Sequence, residues 1–200
     1  MTKAVFFDLD GTLADTAPDL GGALNQLLAE HDRPAVPADA FRPYVSSGSR
    51  GMLRVGFGLK PDDPDYPRLQ TRFLEIYEGR LCTDTHLFAG MAALLDRLEQ
   101  LDIVWGIVTN KPERFTLPLV AQLGLERRAA TVVSGDSAPR PKPAPDTLLL
   151  ACRLTGVEPD TAIYVGDDLR DIQAARAAGM KAIAAAYGYL GDGPHVAEWG

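Results

Sequence analysis

Nine residues near the N-terminus, Ala4-Val5-Phe6-Phe7-Asp8-Leu9-Asp10-Gly11-Thr12, join an apolar run directly to two acids and a glycine. The run reads as a buried strand. In an extended chain Asp8 and Asp10 project to one side and Leu9 to the other. Two carboxylates then share one small volume, where their repulsion is relieved by a cation or by a proton held on one of them. Gly11 permits a tight turn and the close approach of a ligand. The same residues also suit a strand that ends in a solvated turn, so a function has to be argued from what the rest of the chain brings to this point.

From residue 90 onward helices and strands alternate. Met91, Leu94, Leu95, Leu98 and Leu101 mark a helix, and residues 103–108 mark a buried strand ending in Thr109-Asn110-Lys111-Pro112. A helix to Leu123, a strand at 130–133, a loop holding Lys142 and a helix at 145–154 follow. A strand at 162–165 ends in Gly166-Asp167-Asp168, and a helix at 172–178 leads to a last strand near 182–186. Such alternation predicts an α/β fold with a doubly wound parallel sheet and helices on both faces. Residues 15–88 have a different texture. Leu20, Leu24, Leu27 and Leu28 share a helical face, residues 38–45 suggest a short helix interrupted by Pro43, residues 52–57 are helix-like, and Leu69, Phe73, Ile76 and Tyr77 form another face. No confident strand is expected there. The predicted organisation is a core of residues 1–14 and 89–200 with an inserted helical domain at 15–88.

Two hundred residues, 46% hydrophobic, are enough for one large domain with such an insertion. A net charge of -7 argues against nucleic acid or an anionic membrane as the main partner. An anionic substrate then needs local positive charge or a metal. Cys82 and Cys152 lack C-x-x-C spacing and read as reduced thiols, which implies a cytoplasmic protein. No apolar run approaches the roughly 18 residues of a membrane span, and no signal-peptide layout precedes the first strand.

In open parallel sheets ligands sit at the carboxyl ends of the strands. Here those ends carry Asp8 and Asp10, Thr109 and Asn110, Ser134, and Asp167 and Asp168, so four of them are expected to converge. Thr109 and Asn110 suit a phosphate at a helix N-terminus, or a simple cap. Lys142, in Arg140-Pro141-Lys142-Pro143, sits in a loop stiffened by prolines that suits a fixed point charge beside a phosphoryl group. Asp167, Asp168 and Asp171 are more acid than capping needs, and Asp167 and Asp171 are spaced to share one helical face. Hard oxygen ligands suggest Mg2+. In the helical insertion Arg50, within Ser47-Gly48-Ser49-Arg50, is the candidate for gripping the far end of a substrate; the alternative is a solvated arginine after a capping serine. His31, His86 and His195 stand alone and receive no role, and Trp105 reads as core.

Taken together, D-x-D-G-T after an apolar run, Thr109, Lys142 and Gly166-Asp167-Asp168-Leu169-Arg170-Asp171 resemble, in order, the four motifs of haloacid dehalogenase superfamily phosphatases. The resemblance implies that Asp8 is a nucleophile forming an aspartyl-phosphate and Asp10 the general acid and base. It implies phosphate binding at Thr109 and Lys142, beside Asn110. Mg2+ would be held by Asp8, the backbone carbonyl of Asp10 and Asp167, with Asp171 acting through water. Asp168 departs from the pattern, since many relatives carry serine there. Dehalogenases of this fold lack the second acid, so Asp10 points to a phosphatase. The helical insertion resembles the cap of the superfamily. Residues 106–115 and 165–172 resemble phosphoglycolate phosphatases and N-acetylmuramic acid 6-phosphate phosphatases, with 47–53 and 187–200 leaning toward the latter. Those relatives continue with a short strand and helix beyond the point where this chain ends. The expectation is a cytoplasmic, Mg2+-dependent phosphatase of carbohydrate metabolism, monomer or homodimer, acting on a small phosphorylated metabolite. A phosphomutase on the same scaffold is one alternative. A phospho-acceptor signalling domain is another, although such domains have no long helical insertion after the first strand.

Overall fold

The N-terminal apolar run becomes β1 (Ala4–Phe7), the central strand of a five-stranded sheet in the computed structural model, which describes residues 1–199. Gly200, within the expected core, lies outside the described residues. The sheet order is β5 (Val132–Val133), β4 (Val104–Val108), β1, β6 (Ala162–Gly166) and β7 (Lys181–Ala184), and every neighbouring pair is parallel. The chain fills one side of β1 with β4 and β5, then crosses to the other side for β6 and β7. Such a reversal opens a crevice at the carboxyl end of the central strand. Val5 to Phe7 pair with Trp105 to Ile107 on one side and Ile163 to Val165 on the other, so the three strands reach that crevice level with one another.

Strand alternation sorts β1 between two cores. Ala4 and Phe6 pack with Leu148, Cys152 and Ala174, from α7 (Asp146–Thr155) and α8 (Leu169–Ala177). Phe7 packs on the opposite face with Leu95, Leu98, Leu119 and Val120, from α5 (Met91–Gln100) and α6 (Glu113–Gln122). Trp105 belongs to this second core, 2% exposed, with its indole N–H donated to Glu99 Oε1 at 3.0 Å.

After β1 the chain makes a two-residue strand, β2 (Ala14–Asp15), which pairs antiparallel with β3 (His86–Leu87). Between them lie α1 (Ala17–Ala29), α2 (Ala38–Phe41), a 3-10 turn (Arg42–Ser47), α3 (Gly48–Phe57) and α4 (Tyr66–Glu78). These helices enclose a third core that includes Leu24, Leu27, Met52, Leu53, Phe73 and Ile76, joined by Phe115 and Tyr189 from the sheet-bearing part. The short β2–β3 ribbon is the one departure from the expected strand-free stretch, and the expected helix at 38–45 gives way at Arg42 because Pro43 lacks an N–H. α3 begins at Gly48, earlier than its apolar residues suggest, so Arg50 lies in its first turn. No helix among the described residues is long and apolar enough to cross a membrane.

Candidate active site

β1 stops at Phe7, so Asp8 and Asp10 stand in the turn beyond it rather than on the strand itself. Gly11 makes that turn, with φ of 84°, and Gly11 N donates to Ala14 O at 3.0 Å. Asp8 accepts a hydrogen bond from Leu9 N at 2.8 Å and lies 3.1 Å from Lys142 Nζ. Asp10 faces a different lysine: Lys111 Nζ donates to its Oδ1 at 2.9 Å. Each of the two acids therefore has its own lysine.

Lys142 is 3% exposed and lies 2.6 Å from Asp171 Oδ1 as well as near Asp8. Its ammonium also donates to Tyr164 Oη at 2.6 Å and to Val108 O at 3.2 Å. Asn110 positions it from behind, accepting from Lys142 N at 2.8 Å and donating through Nδ2 to Lys142 O at 2.9 Å. That side chain, expected at the phosphate, is thus occupied with the lysine loop. Thr109 is buried at the end of β4, where its hydroxyl accepts from Lys111 N at 3.1 Å.

Asp167 directly follows β6 and is not part of α8, so the expected helical face shared with Asp171 does not exist. The two meet because Gly166 leaves no Cβ where the Asp171 side chain sits. Asp167 Oδ1 accepts from Thr12 Oγ1 at 2.7 Å, and its Oδ2 accepts from Tyr189 N at 2.8 Å and Ser46 Oγ at 3.0 Å. Asp168 does the capping: it accepts from Arg170 N at 2.8 Å, while its own N–H goes to Asp171 Oδ2 at 3.0 Å. It also pairs with the Arg170 guanidinium, which donates to Ser46 O at 2.9 Å. Above these groups opens a cavity of about 410 Å³, lined from below by Asp8, Asp10, Thr109, Asn110, Lys111 and Lys142. Ser46, Ser49, Arg50, Gln70, Phe73 and Tyr77 line it from the helices above. Ser134, the fourth strand-end residue, is outside this lining; β5 sits at the sheet edge, two strands from the centre.

Residues 5–185 match the family model described as haloacid dehalogenase-like hydrolase. The chain belongs to that family. It is 41% identical over 198 residues to an N-acetylmuramic acid 6-phosphate phosphatase of Pseudomonas putida, covering 99% of this chain and 89% of that protein. It is 48% identical over 191 residues to a phosphoglycolate phosphatase of Xanthomonas campestris pv. campestris, covering 95% and 86%. Among solved structures, a predicted phosphoglycolate phosphatase from Haemophilus somnus superposes with a TM-score of 0.82 at 26% identity, covering 94% of this chain and 87% of that one.

Within this haloacid dehalogenase-like hydrolase, Asp8, Asp167 and Asp171 are all buried and each offers an oxygen within 4.8 Å of the others. Lys142 is the cation in contact with two of them. Three carboxylates against one ammonium leave two negative charges in a dry place, the charge of one divalent ion. Without that ion, burial and the neighbouring acids push the Asp8 carboxyl up to about 8, against the pull of Lys142. Burial and Asp171 raise Asp167 to about 6, opposed by its hydrogen bonds from Tyr189, Thr12 and Ser46. Burial pulls the Lys142 ammonium down, and Asp171 and Asp8 outweigh it. Oxygen donors with surplus negative charge fit Mg2+.

Several contributors have no motif of their own. Thr12, which closes the D-x-D-G-T motif, meets Ser46 and Tyr189 on Asp167 from three distant parts of the chain, and nothing in the local sequence marks the latter two. Lys111 is different. It directly follows Thr109-Asn110 at a strand end, and the same strand-end argument that selected those two applies to it.

Proposed function

We propose that the protein hydrolyses a small phosphomonoester with Mg2+, through an aspartyl-phosphate on Asp8. The observation that carries this reading is the cluster of Asp8, Asp167 and Asp171 around Lys142, with Asp10 facing a separate lysine on the cavity side. Asp8, in its ionised form, attacks phosphorus in line, and the bond to the ester oxygen breaks. Asp10, placed two residues on and turned toward the cavity, gives its proton to the leaving oxygen and afterwards takes one from the water that cleaves the acyl phosphate. Lys142 holds Asp8 in place and offsets charge on the phosphoryl oxygens, together with the Thr109 hydroxyl and neighbouring backbone N–H groups. Asp8, Asp167 and the Asp10 carbonyl would hold Mg2+, with Asp171 acting through water, and the ion would supply the positive charge that keeps Asp8 ionised beside a phosphate dianion.

The helices of residues 15–88 act as a cap over the core of residues 1–14 and 89–200. Their route back to the core is narrow, the β2–β3 ribbon, and their residues form the roof of the cavity. Closing that roof excludes water until substrate is bound. Arg50, exposed in the first turn of α3 at the cavity, grips the far end of the substrate. The compounds named for the two relatives, phosphoglycolate and N-acetylmuramic acid 6-phosphate, each carry a carboxylate as well as a phosphate, and Arg50 on the roof suits both. The free thiols Cys82 and Cys152 accord with a reducing, cytoplasmic setting.

The test is phosphate release, with Mg2+, across 2-phosphoglycolate, N-acetylmuramic acid 6-phosphate and several hexose phosphates. One strongly preferred substrate is expected, with activity lost in EDTA and restored by Mg2+. Turnover that ignores chelation overturns the metal assignment, and interconversion of sugar phosphates without release overturns the hydrolase reading.

A further inference from the structure

Lys111 is a buried ammonium that the hydrolytic chemistry above does not use. Its side chain is 7% exposed, its Nζ lies 2.9 Å from Asp10 Oδ1, and it sits 4.7 Å from the centre of the Tyr77 ring, which reaches down from α4. Lys111 and Tyr77 both line the cavity. The Tyr77 hydroxyl is buried there, and its polar neighbour is the Lys111 ammonium. A buried ion pair adds little stability over apolar residues of the same size, so stability alone does not account for the pair. A buried cation and a phenol side by side in the cavity lining mark a polar ligand's place.

We infer that Lys111 is a specificity-determining residue, reading a carboxylate borne on the carbon next to the ester oxygen of the substrate, with the Tyr77 hydroxyl as its partner donor. The inference rests on the phosphatase reading, and on Asp10 as the group that meets the ester oxygen. A working acid lies about 2.6–3.2 Å from the atom it protonates, and Lys111 Nζ stands 2.9 Å beyond the Asp10 oxygen. The ammonium is therefore within about two hydrogen-bond lengths of the ester oxygen. A carboxylate one carbon away reaches it. A carboxylate across a sugar ring lies several bonds farther from the ester oxygen. An ammonium has three N–H donors, of which Asp10 takes one and Tyr77 at most another, so a substrate carboxylate is added without stripping Asp10 of its partner. The substrate class is a short 2-phosphooxy acid.

Binding and turnover test this separately. In Asp8→Asn, which cannot turn over, calorimetry with Mg2+ should show 2-phosphoglycolate binding at least tenfold tighter than ethyl phosphate, its counterpart without the carboxylate. Adding Lys111→Met should erase that preference, and Lys111→Arg should keep it. Lys111→Gln, which retains a donor toward Asp10 without the charge, serves if Lys111→Met fails to fold. In the otherwise unaltered enzyme, Lys111→Met should lower the ratio of kcat/KM for 2-phosphoglycolate over ethyl phosphate by about 10- to 100-fold, mostly through KM. Equal losses on both substrates, or no preference in Asp8→Asn, overturn the inference. Preference in Asp8→Asn combined with no hydrolysis of either compound by the unaltered protein leaves Lys111 in its role and overturns the phosphatase reading.

Discussion

Two acids two residues apart acquire different partners. Asp8 is held by Lys142 in a crowd of buried carboxylates, and Asp10 by Lys111 under the roof of the cavity. Asp8→Asn removes a nucleophile and relieves the crowding, so phosphate release should vanish while the thermal midpoint of the metal-free protein holds or rises. A protein that unfolds, or one that still turns over, contradicts the assignment. Asp10→Asn keeps the size and loses the proton, and should cost about 100- to 10,000-fold in kcat. The loss should be larger for an alkyl ester than for an aryl ester with a good leaving group. A fall below tenfold on both removes Asp10 from proton transfer.

At the scale of elements, the site depends on how tightly backbone segments approach one another. A Cβ on Gly11 would collide with Asp167 Oδ2, and φ of 84° disfavours any L side chain there. Gly11→Ala should therefore cost about 1–3 kcal/mol from backbone strain alone and displace Asp167, lowering both the urea midpoint and phosphate release. A variant with unaltered stability would show that the turn is more tolerant than its geometry. The base of the helical insertion hangs on Asp19, fully buried in the first turns of α1, which accepts hydrogen bonds from Asp84 N, Thr85 N and Thr85 Oγ1. Asp19→Ala leaves these donors buried without a partner, at about 1–3 kcal/mol for each group left unpaired. Amide exchange at residues 84 and 85 should quicken well before that of β1. Exchange that stays slow would mean another group satisfies them.

For the molecule as a whole, the acid surplus links metal, protons and stability. With carboxyls raised to about 8 on Asp8 and about 6 on Asp167 from the usual 3.8, the metal-free folded protein holds protons that the unfolded chain has released. Stability in EDTA should accordingly fall as pH rises from about 4 to about 8, since the folded state is the one binding more protons. Mg2+ should flatten that slope and release protons as it binds; thermal midpoints measured across pH in both conditions check the sign, and a rising slope in EDTA refutes it. The alternation of apolar strands and helices, and the acids, threonine and lysine at strand ends, were legible in the sequence because period and punctuation are local properties. So were the helical texture of residues 15–88 and the candidates Asp8, Asp10, Thr109, Lys142, Asp167 and Asp171. The sequence by itself also named a family, which the match over residues 5–185 bears out. What it could not decide was pairing. Which lysine meets which acid, that Asn110 serves the Lys142 loop, and that Thr12, Ser46 and Tyr189 converge on Asp167 depend on contacts between segments as many as 155 residues apart. Side-chain chemistry and spacing are written along the chain, whereas the distance between two charges is set only when the sheet and the helices above it close around them.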